Sequence, residues 1–147
     1  YLDALEREVE LYVGVLGRGQ PVSQLHLGGG TPTFLSDAEL ARLMGSLRRA
    51  FRLVPGGEYS IEVDPRTVSA ERLSVLAGLG FNRISLGVQD FDPEVQKAVH
   101  RIQSFESVAG LIEQARKLGI ESVNADLIYG LPRQTPGSFA RTLDLIS

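Results

Sequence analysis

The chain has 147 residues, 43% hydrophobic and 22% charged with a net charge of -3, a balance that suits one ordinary soluble domain rather than a disordered or membrane segment. The acidic excess leaves no broad basic face for a nucleic-acid backbone, and the absence of cysteine removes disulfides and thiolate metal sites from these residues. No apolar run approaches a membrane span and no basic-then-apolar leader opens the chain, so the expected location is cytoplasmic, with neither nucleic acid nor a membrane as partner.

Leu2, Leu5, Val9 and Val13 follow helical spacing from the outset, with no capping residue before them. Tyr1 stands in place of methionine, and Phe139, Leu143 and Ile146 keep helical spacing up to Ser147, so the chain is expected to continue on both sides. Between these ends one pattern recurs four times: a short apolar run, a loop with polar residues or glycine, then a capped amphipathic stretch.

Residues 24–27 form the first apolar run and end in Gly28-Gly29-Gly30-Thr31-Pro32-Thr33. Ser36-Asp37-Ala38-Glu39 then opens a helix as a capping box, with Leu40, Leu43, Met44 and Leu47 on its buried face. Residues 59–63 are the second run, closed by Asp64-Pro65; Ser69 caps the next helix, whose inward positions are Leu73, Leu76 and Leu79 and whose stop is Gly80. The third, 83–88, leads into Gln89-Asp90-Phe91, and Asp92-Pro93 starts a helix with proline where no amide hydrogen is needed. A further helical piece from about Phe105 to Leu118 stops at Gly119. The fourth run, 122–128, passes through Tyr129-Gly130-Leu131-Pro132 to a helix opened by Thr135-Pro136.

Strands separated by helices return to the same end of the sheet and must run parallel. The expected fold class is therefore α/β: a partial (β/α) barrel, built on a parallel sheet with about four strand-helix units. Four units cannot close an eight-strand barrel and no linker divides the chain, so residues 1–147 read as a single incomplete domain with at least one sheet edge open to a partner.

In such folds ligands bind at the carboxyl ends of the strands, where the polar residues of this chain gather. The triple glycine lets backbone approach a ligand and offers amides to a carboxylate or phosphate, or else it makes only a tight turn. Pro32 and Thr33 stand where a dinucleotide fingerprint or a P-loop would need glycine or lysine, which disfavours a nucleoside triphosphate. Glu62, between Ile61 and Val63, points away from their face and meets either a structural arginine or the ammonium group of a ligand. Asp126, inside an apolar fourth strand, is the more anomalous acid, a network residue or a ligand group. Gln89 suits the hydroxyls of a ribose, whereas Asp90 reads as structural. Arg101, in the break between two helical pieces, either clamps a carboxylate or stands solvated. His26 and His100 have no second imidazole or carboxylate at ligand spacing, so no metal is expected on this chain.

Four stretches together carry a resemblance: Leu25-His26-Leu27-Gly28-Gly29-Gly30-Thr31-Pro32-Thr33, Ile61-Glu62-Val63-Asp64-Pro65-Arg66, Phe81-Asn82-Arg83-Ile84-Ser85-Leu86-Gly87-Val88-Gln89-Asp90-Phe91 and Asp126-Leu127-Ile128-Tyr129-Gly130-Leu131-Pro132. In this order they resemble the oxygen-independent coproporphyrinogen III oxidase family of the radical S-adenosylmethionine superfamily, over essentially the whole chain. Haem-chaperone-like relatives typically carry asparagine at the position of Asp64 and serine at that of Asp90, so the two aspartates favour the oxidase.

The resemblance implies a six-unit barrel in which a 4Fe-4S cluster and an electron donor reduce S-adenosylmethionine to a 5'-deoxyadenosyl radical. That radical starts the oxidative decarboxylation of two propionates of coproporphyrinogen III to the vinyl groups of protoporphyrinogen IX. It further implies Gly29, Gly30 and Thr31 along the methionine moiety, Glu62 near its ammonium, Arg101 near its carboxylate, and Gln89 with Asp126 at the ribose. The family's CxxxCxxC cluster loop is absent and is expected upstream of Tyr1, and much of the porphyrinogen pocket is expected outside these residues too. The chain alone is thus expected to bind the cofactor weakly and catalyse nothing. Two other readings stand beside it: a haem-carrying or haem-delivering protein on the same barrel, and an unrelated barrel enzyme whose glycine turn grips a phosphorylated sugar.

Overall fold

The four apolar runs become four strands, all parallel and hydrogen-bonded in the order of the chain, in a computed structural model that describes residues 1–146. The elements are α1 (Leu2–Leu16), β1 (Gln20–Leu27), α2 (Asp37–Ala50), β2 (Phe51–Val63), α3 (Ala70–Gly78), β3 (Arg83–Gln89), α4 (Pro93–Ala98), α5 (Phe105–Lys117), β4 (Ser122–Leu127) and α6 (Pro136–Ile146). The order β1-β2-β3-β4 is that of a barrel wall; a doubly wound sheet would reverse direction at a switch point.

The helices begin where their local chemistry requires. The Ser36 hydroxyl accepts from the Glu39 amide at 3.3 Å while the Glu39 carboxylate accepts from the Ser36 amide at 2.8 Å, so two amides without intrahelical partners are satisfied at the start of α2. Asp92 does the same for α4, accepting from Glu94 N at 2.9 Å and Val95 N at 3.3 Å. The Thr135 hydroxyl accepts from Ser138 N at 3.1 Å at the entry to α6.

Two strands start earlier than their apolar runs, β1 at Gln20 and β2 at Phe51. Pro21, Pro55, Gly56 and Gly57 obscure these starts, because proline and glycine ordinarily end a strand. Here the register slips between Val22 and Gln24, and the surplus residues of β2 bulge outward. The Tyr59 hydroxyl lies 2.6 Å from the Val54 carbonyl and 3.1 Å from that of Val22, spanning the slip.

Alternation then divides the sheet into two faces. Tyr59, Ile61 and Val63 of β2 and Ile84, Leu86 and Val88 of β3 are buried against Leu40 and Met44 of α2, Leu73 and Leu76 of α3, and Val108 and Ala115 of α5. Each fully buried aliphatic chain of this kind contributes about 1.5–3 kcal/mol. The opposite face carries His26 of β1, Ser60 and Glu62 of β2, Ser85, Gly87 and Gln89 of β3, and Asn124 and Asp126 of β4. The sequence suggests a wholly apolar fourth strand, and the structure corrects this: Val123, Ala125 and Leu127 pack against the core while Asp126 is exposed on the polar face. β1 pairs only with β2, and β4 only with β3, among the described residues. No helix among these residues is long and apolar enough to cross a membrane.

Candidate functional site

The parallel register sets Glu62 beside Ser85, Ser85 beside Asn124, and Gly87 beside Asp126. Polar positions near the carboxyl ends of β2, β3 and β4 thus share one face with the turn that leaves β1. They line a cleft of about 230 Å³ formed by Gly29, Gly30, Thr31, Pro32, Glu62, Val63, Asp64, Ser85, Gly87, Gln89, Arg101 and Asp126. All seven residues singled out from the sequence border it. A second hollow of about 360 Å³ abuts it along the polar face and shares Glu62, Ser85 and Asp126.

Gly29 has φ 103°, a conformation that a side chain would strain. The turn it belongs to is held from α3: the Arg72 guanidinium donates to the carbonyls of Thr33, at 3.2 Å, and Leu35, and pairs with Asp37 at 2.9 Å. Gly28 meets a different constraint. A Cβ there would stand 2.5 Å from His26 Nε2 and 2.8 Å from Glu62 Oε1.

His26 is accordingly not isolated, contrary to the expectation from sequence. Its Nε2 lies 3.3 Å from Glu62 Oε1 and its Nδ1 2.8 Å from Ser60 Oγ. The carboxylate sits on the neighbouring strand, 36 positions along the chain, so no local spacing could announce it. No group of three or more His, Cys, Asp or Glu able to hold an ion occurs among the described residues.

Arg101 is half-buried and anchored rather than free. One of its terminal nitrogens, Nη2, lies 3.2 Å from Asp64 Oδ2 and 3.3 Å from the Gly87 carbonyl, while its Nε-H is buried without a partner. Asp64 also accepts from three donors of Arg66, the backbone amide at 3.0 Å, Nε at 3.0 Å and Nη2 at 2.6 Å, and Arg66 donates onward to the His100 carbonyl at 3.0 Å. The Arg66 hydrogen bonds hold the Asp64 carboxyl below its ordinary range against the opposing effect of burial, and the Arg101 charge adds to them. Two guanidinium groups on one carboxylate leave a net positive charge, complementary to an anionic group in the cleft.

Gln89 has φ 72° at an irregularity in the pairing of β3 with β4. Backbone of this kind is uncommon for a side-chain-bearing residue and persists where its surroundings hold it. A Cβ on Gly87 would come within 3.2 Å of the Gln89 amide and 3.4 Å of the Arg101 guanidinium, so this strand glycine makes room for both. Across the pair, Asp126 accepts a hydrogen bond from Ser85 Oγ, 2.8 Å from each carboxylate oxygen.

Asp90 stands apart from the cleft. It is 1% exposed and accepts from Thr142 Oγ1 at 2.6 Å, Asp92 N at 2.8 Å and Gln134 Nε2 at 2.5 Å. Burial pushes its carboxyl upward, but these donors outweigh burial and hold it below the usual range. It ties the end of β3 to the 128–134 loop and to α6.

Chemically the cleft offers a carboxylate for an ammonium group, an arginine N-H and glycine-turn backbone for a carboxylate, and an amide with a second carboxylate for a vicinal diol. This donor set fits S-adenosylmethionine. It does not fit an iron-sulfur cluster, since none of the 147 residues is cysteine. Ser85, Gly87 and Asp64 were not singled out as ligands from sequence; the alternation running through Ser85, Gly87 and Gln89 is the signal that points to the first two.

The profile of the Radical SAM superfamily matches residues 3–146. The oxygen-independent coproporphyrinogen III oxidase of Pseudomonas aeruginosa is 55% identical over 146 residues, covering 98% of this chain and 32% of the relative. That of Escherichia coli is 52% identical over 147 residues, covering 100% of this chain and 32% of the relative. The solved structure of coproporphyrinogen III oxidase from Escherichia coli, described as a radical SAM enzyme, superposes with a TM-score of 0.91 at 52% identity over 99% of this chain and 33% of that one. The chain thus spans about a third of the length of the relatives it matches.

Proposed function

The chain belongs to the Radical SAM superfamily, and from that premise we propose that it binds S-adenosylmethionine for the oxygen-independent conversion of coproporphyrinogen III to protoporphyrinogen IX. One observation carries this reading: residues from four strand ends converge on a single cleft that pairs a carboxylate, Glu62, with the guanidinium of Arg101. That pairing suits an amino-acid zwitterion, and Gln89 with Asp126 suits the attached sugar.

When bound together with a 4Fe-4S cluster and an external electron donor, S-adenosylmethionine supplies a carbon radical that removes hydrogen from the substrate's propionates. The part of this chain is orientation. The glycine turn lies along the methionyl group, Glu62 accepts from the ammonium, Arg101 donates to the carboxylate, and Gln89 and Asp126 hold the ribose hydroxyls. A cofactor fixed at both ends presents its sulfonium in one direction, which is how positioning alone lowers a barrier. The thiolates for the cluster come from outside these residues. The reaction is expected in the cytoplasm, with an electron donor as partner.

The phosphorylated-sugar reading gives way to the family match. The haem-carrying reading is not favoured, since the relatives of highest identity compared above bear oxidase names.

The test uses the full-length protein under anaerobic conditions. Glu62→Ala is expected to weaken S-adenosylmethionine binding at least tenfold, about 1.4 kcal/mol, while leaving the visible absorption of the cluster intact. Unchanged affinity would refute the assignment of Glu62. Stable haem binding without turnover of coproporphyrinogen III would move the protein to the haem-carrying class.

A further inference from the structure

We propose that His26 is a positioning residue that orients the Glu62 carboxylate toward the ligand's ammonium group, with Ser60 setting the tautomer of its ring. The inference rests on the reading of Glu62 given above and deepens it.

Three observations converge on it. The first is register: His26 pairs with Ser60 across β1 and β2, which places the imidazole on the polar face beside both Ser60 and the next outward residue of β2, Glu62. The second is the pair of contacts made by the two ring nitrogens. The Ser60 hydroxyl has one hydrogen and two acceptors within reach, His26 Nδ1 at 2.8 Å and the Leu25 carbonyl at 3.3 Å. Donation along the shorter contact makes Nδ1 the acceptor and puts a ring proton on Nε2, which faces Glu62 Oε1 at 3.3 Å. The third is space. Gly28, the first residue of the turn, has no side chain where a Cβ would meet both His26 Nε2, at 2.5 Å, and Glu62 Oε1, at 2.8 Å.

The chain from Ser60 through His26 to Glu62 fixes one carboxylate oxygen and leaves the second, Oε2, for a ligand. His26 is absent from the lining of the cleft and borders instead the hollow that abuts it. It acts through Glu62, in the way that outer partners orient the ligand-holding groups of metal sites.

The experiment is a double-mutant cycle on the reconstituted full-length protein, with S-adenosylmethionine affinity measured anaerobically by equilibrium dialysis. His26→Ala is expected to weaken binding roughly tenfold, the lower end of what loss of an orienting partner costs a metal site. In a Glu62→Gln background the same change should weaken it less than about twofold, because the group it orients has lost its charge. His26→Gln, whose amide N-H can stand in for Nε2-H, should recover most of the affinity.

Equal losses in the two backgrounds would overturn the inference, since His26 would then act independently of Glu62. Failure of His26→Gln to recover more than His26→Ala would also overturn it. If Glu62→Gln alone binds as tightly as the parent protein, the reading of Glu62 fails and takes this inference with it, an outcome distinct from the other two. The side chain of His26 is 56% exposed, and unchanged circular dichroism and cluster absorption verify that each variant is folded.

Discussion

Gly28 and Gly30 lie two positions apart and differ in the space around them. A Cβ at Gly28 would strike the His26 and Glu62 side chains, whereas one at Gly30 would meet no protein atom within 4 Å. Gly30 also lacks the positive φ of Gly29. Gly30→Ala is therefore expected to unfold within about 0.5 kcal/mol of the parent and yet to bind S-adenosylmethionine several-fold more weakly, because the methyl group occupies ligand space. Thermal denaturation and equilibrium dialysis on the same samples check both halves. At Asp64 the measurable quantity is pH dependence. Its folded carboxyl titrates below the ordinary range because Arg66, opposed by burial, donates to it beside Arg101. The resulting stability is complete above about pH 4, the value of an unfolded aspartate, and is lost as pH falls through the lower folded value. Asp64→Asn should thus lower the unfolding temperature at pH 7, and the gap to the parent should close below about pH 4.

At the scale of elements, the buried Asp90 carboxylate joins the end of β3 to the 128–134 loop through Gln134 and to α6 through Thr142. Gln134 also accepts from the Gly130 amide at 2.5 Å and donates to the Ile128 carbonyl at 2.9 Å. Gln134→Ala removes these hydrogen bonds and is expected to cost about 1 kcal/mol, with faster hydrogen exchange confined to the loop and α6. The starts of the helices were legible beforehand because a cap is written in adjacent residues, as in Ser36 with Glu39 and Asp92 with Pro93. The starts of β1 and β2 were hidden by Pro21 and by the Pro55-Gly56-Gly57 bulge, which is tolerated only because two strands slip past each other. The same division runs through the cleft. Glu62, Gln89 and Asp126 stood out as polar residues at strand ends, but the pairing of His26 with Glu62 and of Arg101 with Asp64 depends on register and on a chain reversal, neither visible in local spacing. Asp126 looked anomalous only while β4 was taken as apolar; alternation places it beside Ser85, where a carboxylate has a donor.

For the chain as a whole, the outer edges of β1 and β4 have no strand partner among the described residues. These 147 residues produced alone should self-associate as concentration rises, which sedimentation velocity would show as a growing weight-average mass; a monomer at every concentration would contradict it. The sequential strand order also bears on synthesis. Each strand hydrogen-bonds to the one made just before it, so a chain emerging from the ribosome can lay β2 on β1, β3 on β2 and β4 on β3 without waiting for a distant partner. Glu62, Gln89 and Asp126 fall among the last residues of their strands, so each takes its place only as its strand is finished, and the polar wall of the cleft grows from β2 toward β4.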